Sequence, residues 1–234
     1  MKSLIPCLGV FFSSIQNLQQ YPDMRPVAAA TLALFAILAP LTDGYEAFCG
    51  SDGVTYPSAE HARESGAKVM HCGPCGECST LQDVGVYYDT RNTITSTATK
   101  CAWAYLLGGR RVLDWCLRKL IPFTEGCHRC WYENVICTCT ECLGTCMKYR
   151  LPRLLSFSAD AGEEVLSLET DPCLACDEQK CGPAFGTCAG ANRRRAGITS
   201  DIARDRGEIC SEVDYNWSEL ERLAQTEPPL VAEL

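Results

Sequence analysis

The chain has 234 residues, 18 of them cysteine, and a formal net charge of −8. That acidity argues against broad binding of nucleic acid or of an anionic membrane by the surface as a whole. Cysteine at this density argues against a large unaided apolar core and for a disulfide scaffold, which persists only in an oxidising compartment.

Taken in chain order, the first feature is apolar. Val27 to Leu41 is a run of fifteen residues preceded by Arg25 and closed by Thr42-Asp43-Gly44. It falls short of the roughly 18 or more residues of a spanning helix and suits the core of a secretory signal. Residues 1–44 are therefore read as a signal peptide cut after Gly44, with Met24 as an alternative start and an uncleaved anchor as the alternative fate. No second long apolar run follows, so no membrane contact is expected beyond the signal.

The segment 45–79 is short, Gly-rich and turn-laden. Its Cys72-Gly73-Pro74-Cys75 matches the motif of thioredoxin-like oxidoreductases. That chemistry needs a thiol whose pKa is lowered at a helix N-terminus, and a second cysteine to resolve the mixed disulfide. Glu64 to His71 do not read as the buried strand that precedes such a motif, and Gly76 and Cys78 do not open a helix after it. Structural bridges are the expectation for both cysteines.

Cys49-Gly50-Ser51-Asp52-Gly53-Val54-Thr55-Tyr56-Pro57-Ser58 resembles the central signature of Kazal-type modules, and Gly73-Pro74-Cys75 is similar to the way such modules close. The glycines permit a tight turn, Asp52 can cap it, Tyr56 can bury a ring, and Ser58 can cap a helix from Ala59 to Glu64. The resemblance implies a small knot and, as a function, inhibition of a serine protease. Two departures stand out. The family's next cysteines would fall at Glu60 and near Arg63. Its protease-entering loop lies before the Cys49 position, here in or before the leader.

Residues 80–150 read as helical. Ala98, Cys101, Ala102, Tyr105 and Leu106 share one face of a first helix, and Val112, Trp115, Cys116 and Leu120 one face of a second. Gly108-Gly109 separates the two, Pro122 ends the second, and Thr93 and Thr95 are candidate N-caps. Trp103, Trp115 and Trp131 are expected in the core. From Gly126 to Tyr149, Cys127, Cys130 and Cys137 fall on one helical stripe and Cys139, Cys142 and Cys146 on another. One helix stapled on two sides, or two helices breaking near Thr138, both account for this. Cys101 and Cys116 are expected to pair with those stripes.

Residues 151–171 form an acidic, cysteine-free linker, and 172–234 carry Cys173, Cys176, Cys181, Cys188 and Cys210 ahead of an acidic tail. The knuckles Cys127-x-x-Cys130, Cys139-x-x-Cys142 and Cys173-x-x-Cys176 resemble zinc ligands. With a secretory leader, disulfides are the stronger expectation, so no metal or other cofactor is expected. Arg193, Arg194, Arg195, Arg204 and Arg206 form the one basic cluster, interleaved with Asp201 and Asp205. It is either an ion-paired face or a docking patch for a protein partner. Asn216-Trp217-Ser218 is a glycosylation sequon. Catalytic signatures based on serine, zinc, phosphate loops or dinucleotides do not occur.

The expectation is a mainly α, disulfide-rich protein: a small Kazal-like N-terminal knot followed by stapled helices. It carries up to eight bridges, with Cys49, Cys75 and Cys78 among the half-cystines. One thiol is left over, free or in an intermolecular disulfide. The function expected is that of a secreted or lumenal, non-enzymatic interaction or scaffold protein. A Kazal-like inhibitor and a thiol–disulfide oxidoreductase using Cys72 and Cys75 are the alternatives.

Overall fold

A computed structural model describes residues 46–155 and 167–218. The segment expected to be a signal, the larger part of the acidic linker and the tail from residue 219 lie outside the described residues.

The N-terminal segment folds around a turn that its own side chains build. Gly53 takes φ +77°, Asp52 Oδ1 accepts from the Val54 N–H at 3.1 Å, and the Tyr56 hydroxyl donates to Asp52 Oδ2 at 2.6 Å. This turn brings strand β1 (Phe48–Gly50) antiparallel to β2 (Thr55–Tyr56), and β3 (Val69–Cys72) pairs with the other side of β1. Helix α1 (Ala59–Glu64) starts where Ser58 accepts from the His61 N–H at 3.2 Å. Ala59 and Ala62 pack with Phe48, Val69 and Cys72 in a small separate core. The Cys49–Cys75 bridge closes the knot.

Residues 69–72 are a strand after all. All four are buried, because α1 covers one face while residues 194–214 lie along the free edge of β3. A strand covered on every side shows no alternation, which is the signal a sequence reading needs. The Cys72 N–H donates to the Arg195 carbonyl and the Asp214 N–H to the Val69 carbonyl, and Cys72 is bridged to Cys210. Arg63, where the Kazal pattern would have a cysteine nearby, instead holds Glu212 at 3.1 Å and Asp214 at 2.8 Å. Residues 46–79 and 172–218 thus meet in one compact unit with the helical part.

Helix α2 (Leu81–Asp89) is capped by Thr80, whose hydroxyl accepts from the Asp83 N–H. Helix α3 (Ile94–Leu120) has two arms hinged at Gly109, whose φ of +71° only glycine takes readily. Ile121 then turns extended, as the residue before Pro122 must. Thr93 occupies the cap position without a side-chain cap bond, and Thr95 lies inside the first turn, where its hydroxyl receives a bond from Arg193.

Cys101 and Cys116 do not reach the stripes of the next helix. They bridge each other across the Gly109 hinge. Folding the arms back on each other packs Cys101 against Leu113, Cys116 and Leu117, so each cysteine meets the other first. That face of the second arm is buried in place of the expected Val112, Trp115, Cys116 and Leu120 face. Trp115 also departs from expectation. It is 61 % exposed with Lys119 stacked over its ring, because the face it shares with Leu120 looks outward.

Helices α4 (Glu125–Glu141) and α5 (Leu143–Leu155) break at Cys142 rather than near Thr138. Helices α6 (Pro172–Lys180) and α7 (Gly182–Ala189) run back along them. Cys130, Cys137, Cys142 and Cys146 bridge Cys188, Cys181, Cys176 and Cys173. Each step up one side is matched by a near-equal step down the other, the signature of an antiparallel ladder. Cys127 turns aside to Cys78, tying the ladder to the knot. The protein is therefore mainly α and disulfide-rich, with eight bridges among the described residues. The Gly190 backbone lies against Gly76 so closely that a Cβ there would stand 2.4 Å from the Gly76 nitrogen.

Candidate functional site

Between the first arm of α3, the ladder helices and residues 192–209 lies a cavity of about 700 Å³. One side is apolar. Trp131 stacks on Phe123 at 5.8 Å and meets Phe185 edge-on at 5.2 Å, and its indole N–H donates to the buried Tyr87 hydroxyl at 2.9 Å. Trp103, Leu106 and Met147 add further apolar lining.

The polar lining comes from α4, α5, α6 and residues 193–204. Asp177 Oδ1 accepts from the Thr138 hydroxyl and, at 3.4 Å, from Asn134 Nδ2. Burial pushes the Asp177 carboxyl above the usual carboxylate range, against those two hydrogen bonds. Glu178 takes Arg204, and Arg194 lies 3.8 Å from it. Arg150 pairs with Asp171, the last residue of the acidic linker, which also caps α6 by accepting from the Cys173 and Leu174 N–H groups.

The arginine cluster divides accordingly. Arg193, Arg194, Arg195 and Arg204 line the cavity, while Arg206 faces solvent. Arg193 is 12 % exposed and donates to Asp201 at 2.5 Å and to Thr95 at 2.9 Å. Arg195 donates to the Gly186 and Gly190 carbonyls. These guanidiniums hold residues 186–204 against the helices. The sequence showed the cluster but not that it turns inward, since the partners Thr95 and Glu178 lie far away in the chain. Asn134, Thr138 and Asp177 carried no signal at all, being ordinary polar residues on helices.

The remaining sequence candidates are placed as follows. Cys72 and Cys75 belong to two different bridges, to Cys210 and to Cys49. The knuckles at 127/130 and 173/176 are likewise split between separate partners. Among the described residues no group of three or more His, Cys, Asp or Glu is placed to hold a metal ion. Cys139 alone is unbridged there, half-buried on the cavity wall, with its thiol pushed up by desolvation. Asn216 is exposed. No described helix is long and apolar enough to cross a membrane.

His71 resembles half of a catalytic dyad, since its Nε2 lies 2.7 Å from the Ser79 hydroxyl. It is fully buried, however, and its Nδ1 bonds the Cys72 carbonyl, so the pair is an internal strut. Burial first, then the Arg195 charge, push the imidazole down from 6.5 to about 4. The unfolded chain takes up this proton near pH 6.5 and the folded chain only near pH 4. Stability present above pH 6.5 should therefore fall by about 3 kcal/mol as pH drops to 4, and level off below. Ring resonances of His71 that titrate above about pH 5.5 would contradict this assignment.

A model of a family of unknown function, DUF8771, matches residues 110–212. That span runs from the second arm of α3 through the disulfide ladder to the arginine-bearing wall. No curated protein and no solved structure matches the chain.

Proposed function

We propose that the chain is a non-enzymatic binding protein of the secretory lumen or extracellular space, built as a disulfide-stapled scaffold around its cavity. The observation that carries this reading is the ladder. Four bridges hold the helices that frame one cavity, and eight fit an oxidising compartment. Rigid walls reduce the ordering cost of binding. The division of Cys72 and Cys75 between two bridges speaks against redox turnover, because neither thiol can resolve the other. The full mature chain, secreted and purified without reductant, should expose a single alkylatable thiol, Cys139, and show no insulin-reductase activity. Ten or more free thiols, or turnover, would sink the reading.

A second reading, a Kazal-like serine protease inhibitor, is supported by residues 49–75 alone. Within that stretch Asp52 and Tyr56 build the turn and Ser58 starts the helix. Inhibition assays against a panel of serine proteases, with the full mature chain, would decide it.

A further inference from the structure

Three buried side-chain polar atoms among the described residues have no hydrogen-bond partner: Asn134 Oδ1, Arg150 Nε and Arg204 Nη1. All three belong to residues that line the cavity. Buried polar groups in folded proteins are nearly always satisfied, so a deficit confined to the residues of one concave site, at atoms that water does not reach, marks a place where a shift of the lining side chains lets something else supply the partners. Arg204 is the sharpest case. Its side chain is only 8 % exposed, Glu178 takes Nη2, and Nη1 stands 3.9 Å from Glu208, beyond hydrogen-bond reach.

Resting on the reading of the chain as a binding protein, we propose that the cavity binds an amphipathic carboxylic acid. Its carboxylate lies against Arg204 and Arg150, and its apolar body against Trp131, Phe185 and Met147. Two of the three unpartnered atoms are guanidinium donors, which select an acceptor and favour an anionic one. The lining carries five arginines against two acids, Asp177 and Glu178. The Asp171 and Asp201 carboxylates that balance Arg150 and Arg193 do not line the cavity. A cationic head would meet guanidiniums, and a hydroxyl would offer one weak acceptor where a carboxylate offers two strong ones. The volume falls within the roughly 300–1,000 Å³ of small-molecule sites.

The test is displacement of the fluorescent apolar probe phenylnaphthylamine from the mature, fully bridged chain by laurate, dodecanol or dodecylammonium. Laurate is expected to displace it at least about tenfold more effectively than the other two, a difference of about 1.4 kcal/mol. Ala102→Trp, which fills the cavity from α3, should weaken all three alike. The paired change Arg204→Met with Glu178→Met removes a guanidinium together with the carboxylate it pairs with, and Arg194, which also lies 3.8 Å from Glu178, is exposed enough to stay hydrated. It should bring laurate down to the level of dodecanol and leave dodecanol unchanged. The ranking on the unaltered chain stands without either variant. A ranking in which dodecanol or dodecylammonium equals laurate, or in which nothing displaces or binds, overturns the proposal. So does displacement indifferent to Ala102→Trp, or a laurate preference that survives the loss of Arg204. Insulin-reductase turnover by the same preparation would overturn the non-enzymatic reading and leave this ranking untouched, while a flat ranking would overturn only the ligand class.

Discussion

Replacing Asp83 by alanine is expected to destabilise the protein by about 3–4 kcal/mol. Asp83 is fully buried, and its carboxylate accepts from the Thr80 hydroxyl at 2.6 Å and from the Thr124 N–H and hydroxyl, each at 2.8 Å. Thr80 returns a cap to the Asp83 N–H. One side chain therefore joins the start of α2 to the start of α4, residues far apart in the chain. Alanine would strand the Thr124 N–H in a dry site as well as lose the bonds themselves. Asp83→Asn keeps the acceptor for that N–H, and the two threonine hydroxyls can rotate to accept from its amide. Its loss should be about 1–2 kcal/mol. Urea denaturation of the two variants with all bridges intact measures both values. Equal losses would show that the charge, and not the bonding pattern, holds the joint.

The second large effect concerns the bridges, and its order runs against sequence separation. Cys72–Cys210 spans 138 residues, Cys142–Cys176 spans 34 and Cys101–Cys116 spans 15. If each bridge closed its loop alone, its loss would rank in that order. The other seven bridges shorten the loops. From Cys72 the path runs to Cys78, crosses to Cys127, passes to Cys130, crosses to Cys188 and reaches Cys210, about thirty residues in all. From Cys142 the neighbouring rung through Cys146 and Cys173 leaves only about seven. Cys101 and Cys116 have no shortcut. Double alanine replacement should therefore cost about 3.5–4 kcal/mol for Cys72/Cys210, about 3 for Cys101/Cys116 and about 2.5 for Cys142/Cys176. Denaturant midpoints that place Cys142/Cys176 above Cys101/Cys116 would mean that the rungs act as independent cross-links.

Short-range features were legible from the residues alone. Ser58 before Ala59, the Gly109 hinge, the stop at Pro122 and the mainly helical, disulfide-rich class all depend on neighbours within a few positions, where propensity and capping act. One unbridged cysteine follows from the odd number of them after residue 44, but not which one. Cys139 lies two positions from Cys137, on the side of α4 that looks into the cavity instead of onto α7, and only the docked helices reveal this.

The amino-acid sequence by itself determined the helical character of residues 80–150, the turn chemistry of the knot and the need for cross-links, but not α6 and α7. Only the tertiary structure decided which cysteine meets which, that β3 is a strand, that Trp115 faces water and that four arginines turn inward. The physical reason is the same in each case. A bridge, a doubly covered strand and a buried ion pair such as Arg204–Glu178 are set by partners brought together when α6 and α7 fold back along α4 and α5. That return passes through long-range packing, which leaves no period in the local sequence.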